Sequence, residues 1–164
     1  MGSRGSVIPF FMEKSKRGNI LPITHKDMTR FNISLEDGVE MVLWSIENAL
    51  GSEIFVPKIP SYKIETIAKA ISPNAKLIDV GIRPGEKLHE EMITVSDSMN
   101  TIDIGKYYAI LPSGVNMKKY LNHFGGNKVP HGFSYNSSEN KEWVSVEEMR
   151  NLIVKFLDSK FKPF

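Results

Sequence analysis

The sequence predicts an α/β protein, on three observations. Short apolar runs bounded by Gly or Pro alternate with stretches whose apolar residues recur at helical spacing. Two helical stretches open on a serine with an acidic residue three positions later, the capping-box pattern. No internal repeat breaks the alternation. Within residues 20–33, Leu21-Pro22-Ile23 and Phe31-Asn32-Ile33 are short extended candidates around a polar turn. A helix then begins at Ser34, capped with Asp37. Its apolar face is Leu35, Val39, Val42, Leu43, Ile46 and Leu50, and Gly51 ends it. Glu53 to Pro57 reads as a strand. Ser61 is placed to cap a second helix carrying Ile64, Ile67, Ala68 and Ile71, with Pro73 beyond it. Leu77 to Ile82 reads as another strand. Pro84 then stands where a helix tolerates proline, in its first turn, and Leu88, Met92 and Ile93 continue an apolar face. Tyr107 to Leu111 is a fourth strand candidate. Residues 112–142, with Pro112, Gly125-Gly126 and Pro130 among many Asn and Ser, read as surface loop. The clearest helix is the last, capped by Ser145 and Glu148 and striped by Met149, Leu152, Ile153, Phe156 and Leu157.

Composition narrows the function classes. A chain of 164 residues, 41% apolar and 24% charged, suits one domain or a large piece of one. Its net charge of +2 is too weakly basic for wholesale nucleic-acid binding. The absence of Cys excludes disulfides, thiolate catalysis and Cys-based metal sites. No apolar run is long enough to span a membrane, and the first residues lack the apolar core of a secretory signal, so a soluble cytoplasmic protein is the expectation.

The densest polar cluster is Gly81-Ile82-Arg83-Pro84-Gly85-Glu86-Lys87-Leu88-His89-Glu90-Glu91. At a strand-to-helix junction, backbone N–H groups and the helix dipole favour an anion, and Arg83 could grip a phosphate bidentately. Glu86 suits a ribose hydroxyl pair, or simply complements the dipole; a capped surface helix with ion pairs explains the cluster equally well. In Met28-Thr29-Arg30-Phe31 an arginine sits among apolar residues and needs a fixed anionic partner. That partner could be a diphosphate clamped between Arg30 and Arg83, or a structural carboxylate. The loop Arg4-Gly5-Ser6-Val7-Ile8 could read a nucleobase edge, with Val7 and Ile8 packing on the ring, although an ordinary loop explains it as well. His25, His89, His123 and His131 show no ligand spacing and no neighbouring nucleophile, so no metal is expected. Trp143, beside the final cap, is expected to pin the preceding Tyr135 to Glu142 loop onto the body.

Four blocks carry a resemblance: Gly2 to Phe11, Leu21 to Phe31, Glu53 to Ser61, and Gly81 to Glu91. In this order and spacing they resemble the C-terminal half of the inverting UDP-N-acetylglucosamine 4,6-dehydratases, in the extended short-chain dehydrogenase/reductase superfamily. The Tyr135 to Trp143 stretch and the helix after it resemble the tail of the same polysaccharide-biosynthesis family, while residues 113–130 match least. The resemblance implies the C-terminal substrate-binding part of that fold, its Rossmann half absent. Residues 1–112 would form the substrate-binding α/β region, 113–142 a loop-rich connection and 143–164 the C-terminal helix.

In that family NADP(H) and the catalytic Tyr, Lys and Asp reside in the N-terminal half. This chain has neither a Gly-rich dinucleotide loop nor a Tyr-x-x-x-Lys, so no catalytic or cofactor-binding residue is assigned. Position by position, the resemblance puts Arg4, Gly5, Ser6, Val7 and Ile8 on the uridine and ribose side. It puts Arg30 at the UDP group, Arg83 at the pyrophosphate, Glu86 at the ribose hydroxyls and Asn140 at a further substrate contact. The implied reaction converts UDP-N-acetylglucosamine to a 4-keto-6-deoxy sugar, inverting at C5, for surface-polysaccharide or flagellin-glycan precursors. Met1 falls at an internal position of the family, so the chain is expected to need its missing Rossmann half and to be inactive alone. A UDP-sugar substrate and a homo-oligomer are the other implied partners. A non-catalytic UDP-sugar-binding module and the same half of a nucleotide-sugar epimerase are the alternative readings.

Overall fold

A computed structural model describes residues 6–164. The chain opens on α1 (Val7–Ser15), then β1 (Ile20–Ile23), β2 (Thr29–Phe31) and α2 (Leu35–Asn48). β3 (Ile54–Pro57), β4 (Ser61–Lys63), α3 (Ile64–Ile71) and β5 (Lys76–Asp79) follow. Next come β6 (Glu91–Ile93), a 3-10 turn at Asp97–Asn100, β7 (Thr101–Asp103) and β8 (Tyr107–Ile110). The chain ends with α4 (Met117–Phe124), β9 (Asn127–Lys128), β10 (Tyr135–Asn136) and α5 (Val146–Phe156).

The strands form small separate ladders. β1 and β5 pair in parallel, β2 pairs antiparallel with β4, and β10 with β6. The largest sheet is antiparallel, in the order β3-β8-β7-β9. At its edge Gly126 has φ +90°, and a Cβ there would lie 1.9 Å from the Asp103 carbonyl oxygen, so only glycine lets β9 close on β7.

The main core joins α1, β1, α3 and α5 through Ile8, Phe11, Leu21, Ile67, Ile71, Met149 and Ile153. α3 turns its apolar face onto this core because Ile64, Ile67, Ala68 and Ile71 share one side. Arg150 of α5 donates from Nε to the Ala70 carbonyl at 3.1 Å, satisfying the end of α3. Both expected capping boxes form. Ser34 Oγ accepts from Asp37 N at 3.0 Å, and Ser145 Oγ accepts from Glu148 N at 3.2 Å.

Several expectations need correction. Ser61 does not cap α3; it lies in β4, and Lys63 occupies the cap without a side-chain bond. Ser61 instead joins the tail by backbone bonds, taking Val144 N–H at 2.8 Å and donating to the Glu142 carbonyl at 2.9 Å. The 112–142 stretch is not all loop. α4 forms there with Asn116 as its cap, burying Tyr120 against Ile102, Ala109 and Leu111. Its weak sequence signal reflects a short helix with one narrow apolar side, Met117, Tyr120, Leu121 and Phe124.

The largest reversal concerns α2. Its apolar stripe points outward: Leu35 is 79% exposed and Ile46 74%, with Val39, Val42 and Leu43 also exposed. The inward side carries Met41 and Trp44. The Trp44 ring packs on Tyr107 at 4.6 Å, on Phe55 at 5.1 Å and on Phe124 at 6.2 Å. An aromatic cluster of that size outweighs the aliphatic stripe in deciding which side lies against this sheet.

Ile67→Ala is expected to cost about 2–5 kcal/mol in urea unfolding, because it empties a fully buried site. Leu35→Ala on α2 is expected to cost less than about 0.5 kcal/mol in the same measurement. Similar losses at both positions would contradict the outward orientation of α2.

Candidate functional site

β2 places Arg30 opposite Tyr62 of β4, and the segment after β5 runs along the other edge of β2. Thr29 N donates to the Leu88 carbonyl at 3.1 Å, and Phe31 N to Glu90 Oε2 at 2.9 Å. The expected helix after Gly81 does not form. Arg83-Pro84-Gly85-Glu86 is a tight turn closed by Glu86 N donating to the Arg83 carbonyl at 3.0 Å, with Gly85 at φ +80°. Proline followed by a positive-φ glycine selects this turn over a helical start. The anion site expected from a helix dipole at this point is therefore absent, and side chains must do that work.

The turn delivers Glu86 and Arg83 to a cavity of about 590 Å³ that Arg30 also lines. Ser6, just before α1, and Val7, Pro9 and Phe10 of α1 line it, while Met28, Tyr62 and Val80 complete the apolar side. The two arginines are not equivalent. The Arg30 side chain is 16% exposed and already neutralised. Its Nη1 donates to the carbonyls of Thr29 at 2.7 Å and Leu88 at 3.1 Å, its Nη2 to Glu86 Oε1 at 3.5 Å, and its Nε lies 3.6 Å from Glu90 Oε1. The structural-carboxylate reading of Arg30 is thus realised, and at the rim of a cavity. Arg83 is exposed and its guanidinium has no hydrogen-bond or ion-pair partner among the described residues.

Of the other expected contacts, Ser6 and Val7 line the cavity. Val7 begins α1 and is not in a loop. Ile8, one residue on, is only 3% exposed and belongs to the core, so it cannot pack on a ligand ring. Arg4 and Gly5 lie outside the described residues. Asn140 lines a different, smaller cavity beside Lys58 and Tyr108. It donates from Nδ2 to the Ile59 carbonyl at 2.7 Å and Ser61 Oγ at 3.0 Å, so it fastens the tail to β4. Trp143 donates to the Asn140 carbonyl at 2.8 Å, and Ser61 and Trp143 form an isolated bridge, so the expected pinning is real.

Sequence reasoning missed Tyr62, Glu90 and a linked group of buried Thr29 and Ser137 with half-buried His89. Thr29 Oγ1 lies 2.8 Å from His89 Nδ1 and 2.7 Å from Ser137 Oγ, so one histidine does sit beside a hydroxyl. Ser137 is more than a hundred positions from Thr29, and no spacing rule reaches that far. Tyr62 was masked by reading Ser61 as a helix cap. Among the described residues no cluster of His, Asp and Glu could hold a metal ion. The segment after β5 runs into the Pro84–Gly85 turn and not into a helix.

Residues 1–112 match the family described as polysaccharide biosynthesis protein. The chain belongs to that family. It is 49% identical over 160 residues to a UDP-N-acetylglucosamine 4,6-dehydratase (inverting) of Campylobacter jejuni, covering 93% of this chain and 48% of the relative. It is also 38% identical to a UDP-glucose 4-epimerase of Rickettsia akari, over 94% of this chain and 46% of that protein. Among solved structures it is similar to Pen from Bacillus thuringiensis, with a TM-score of 0.77, 28% identity, and coverage of 94% of this chain and 47% of that one. The chain spans about half the length of the relatives it matches. No helix among the described residues is long and apolar enough to cross a membrane.

Burial pushes the Tyr62 phenol up to about 12, with the Glu90 charge adding to the rise and Arg30 opposing it. The folded state therefore holds this proton more tightly than the unfolded chain. The stabilisation is whole below pH 10 and is lost as pH climbs from 10 towards 12. Urea unfolding at stepped alkaline pH should show that fall, and Tyr62→Phe should flatten it. A variant as steep as the wild type would refute the assignment.

Proposed function

We propose that this chain is the UDP-sugar-binding part of a nucleotide-sugar 4,6-dehydratase. One observation carries the reading: Arg83, Arg30 and Glu86 converge on a single cavity with an apolar wall. Arg83 supplies an unspent planar cation for the pyrophosphate. Arg30 presents its remaining Nη2 hydrogen beside it. Glu86, an acceptor-only carboxylate, suits the two ribose hydroxyls. Val7, Pro9 and Phe10 offer the base an apolar wall, and the Tyr62 phenol, kept protonated far above neutral pH, offers a donor.

The substrate by this reading is UDP-N-acetylglucosamine, and the product a 4-keto-6-deoxy sugar nucleotide, inverted at C5, for bacterial surface-polysaccharide or flagellin-glycan precursors. The higher identity to the Campylobacter dehydratases than to the Rickettsia epimerases favours dehydration over epimerisation. The NADP site and the acid–base groups belong to the half of the relatives' length that this chain does not span, so the chain alone is inactive. That half docks on the outward stripe of α2, where Ile33, Leu35, Val39, Val42 and Leu43 join Phe156 and Leu157 in an apolar groove. A helix capped at its start and apolar on its solvent side is built to be covered.

Arg83→Ala is expected to weaken UDP binding about ten- to a hundredfold in calorimetric titration, the worth of a charge-assisted hydrogen-bond pair. Uridine, which lacks the diphosphate, should bind the variant as it binds wild type. Equal UDP affinity in both proteins would sink the reading.

The docking surface has its own test. Val42→Asp should leave UDP binding intact while abolishing co-elution with the remaining half of the Campylobacter jejuni dehydratase supplied as a separate chain. Undiminished association would place the interface elsewhere.

A further inference from the structure

The groups that hold Arg30 in place are themselves held by a buried chain of hydroxyls. Ser137 Oγ accepts Glu90 N–H at 2.9 Å and lies 2.7 Å from Thr29 Oγ1, which lies 2.8 Å from His89 Nδ1. Ser137 N in turn donates to the Glu90 carbonyl at 2.8 Å. Ser137 is 0% and Thr29 2% exposed, so water cannot replace a lost partner.

Counting hydrogens sets the direction of the chain. Ser137 Oγ receives Glu90 N–H, and its own hydrogen finds one acceptor among the described residues, Thr29 Oγ1. The Thr29 hydrogen then goes to His89 Nδ1, which must be bare, leaving the imidazole neutral with its proton on Nε2. The opposite order would send Nδ1–H into Thr29 and Thr29 into Ser137. It would strand the buried Ser137 hydrogen without an acceptor.

Each member of the chain adjoins a support of the guanidinium. Thr29 and Leu88 provide the carbonyls that take Nη1, and Glu90 provides the carboxylate beside Nε that also takes Phe31 N–H. Thr29, His89 and Ser137 do not line the cavity themselves. The geometry points to these three side chains as a directional positioning relay that sets Arg30 for a diphosphate ligand. By this inference the tail around residues 135–140, C-terminal to the stretch 1–112 that the family model matches, is a working part of the pocket. The inference rests on the UDP-sugar reading of that pocket.

The test uses the full chain and three variants, Thr29→Val, Thr29→Ser and Ser137→Ala, titrated with UDP and with uridine. Thr29→Val and Ser137→Ala should weaken UDP about fivefold or more, with uridine unchanged, while Thr29→Ser should bind UDP as wild type does. In the wild type near neutral pH, long-range proton–nitrogen NMR should place the His89 proton on Nε2. If Thr29→Val does not fold, Ser137→Ala and the wild-type tautomer decide the matter. A wild type that binds neither ligand overturns the UDP-sugar reading and the relay's purpose with it. A wild type that binds UDP while the variants bind it equally overturns the relay alone. So does an equal loss of UDP and uridine, which marks a purely structural network, or a His89 proton found on Nδ1.

Discussion

A charge that water barely reaches organises this molecule. The Arg30 guanidinium, 16% exposed, cannot sit in β2 unless its charge and most of its N–H groups are met. The segment from Arg83 to Glu91 meets them, with two carboxylates and a carbonyl. That demand fits the segment's course along β2 as a turn followed by irregular chain, with no helix. A helix starting at Pro84 would turn its carbonyls into its own ladder and leave none for the arginine. With the segment fixed, β6 follows directly, β10 pairs with it, and the tail is drawn back to the same corner through Ser137 and Asn140.

The same arrangement separates the two arginines by task. Arg30 is spent largely on structure and presents its edge to the cavity, whereas the guanidinium of Arg83, on a tight turn, has no partner among the described residues. A pocket with one anchored and one unspent cation holds its shape when empty and still has charge to offer an anion. Glu86 bridges the two, touching Arg30 through Oε1 and the Arg83 backbone N–H through Oε2.

The outward stripe of α2 and the two-stranded parallel ladder of β1 and β5 share one meaning. Parallel pairs normally lie inside larger sheets covered on both faces, and an apolar helix side normally faces a core. Both belong to a chain that spans about half the length of its relatives. The main core joins α1, α3 and α5 over β1 and draws no residue from α2.

Much was legible locally. Both capping boxes, the strand at β8 and the apolar side of α3 follow from spacings of two to four residues, which backbone geometry reads directly. The cluster from Gly81 to Glu91 and Arg30 stood out in the sequence, and Arg83 and Glu86 of that cluster line one cavity with Arg30. Ile8 and Asn140 were misplaced because one residue of helical rotation buries Ile8 and an 81-residue separation hides the carbonyl that Asn140 bonds. The sequence by itself therefore determined the α/β class and the capped starts of α2 and α5. Only the tertiary structure decided which side of α2 faces inward, which arginine is free, and that Thr29, His89 and Ser137 touch. Those outcomes depend on long-range packing and on satisfying buried polar groups, and neither leaves a short-range period in the chain.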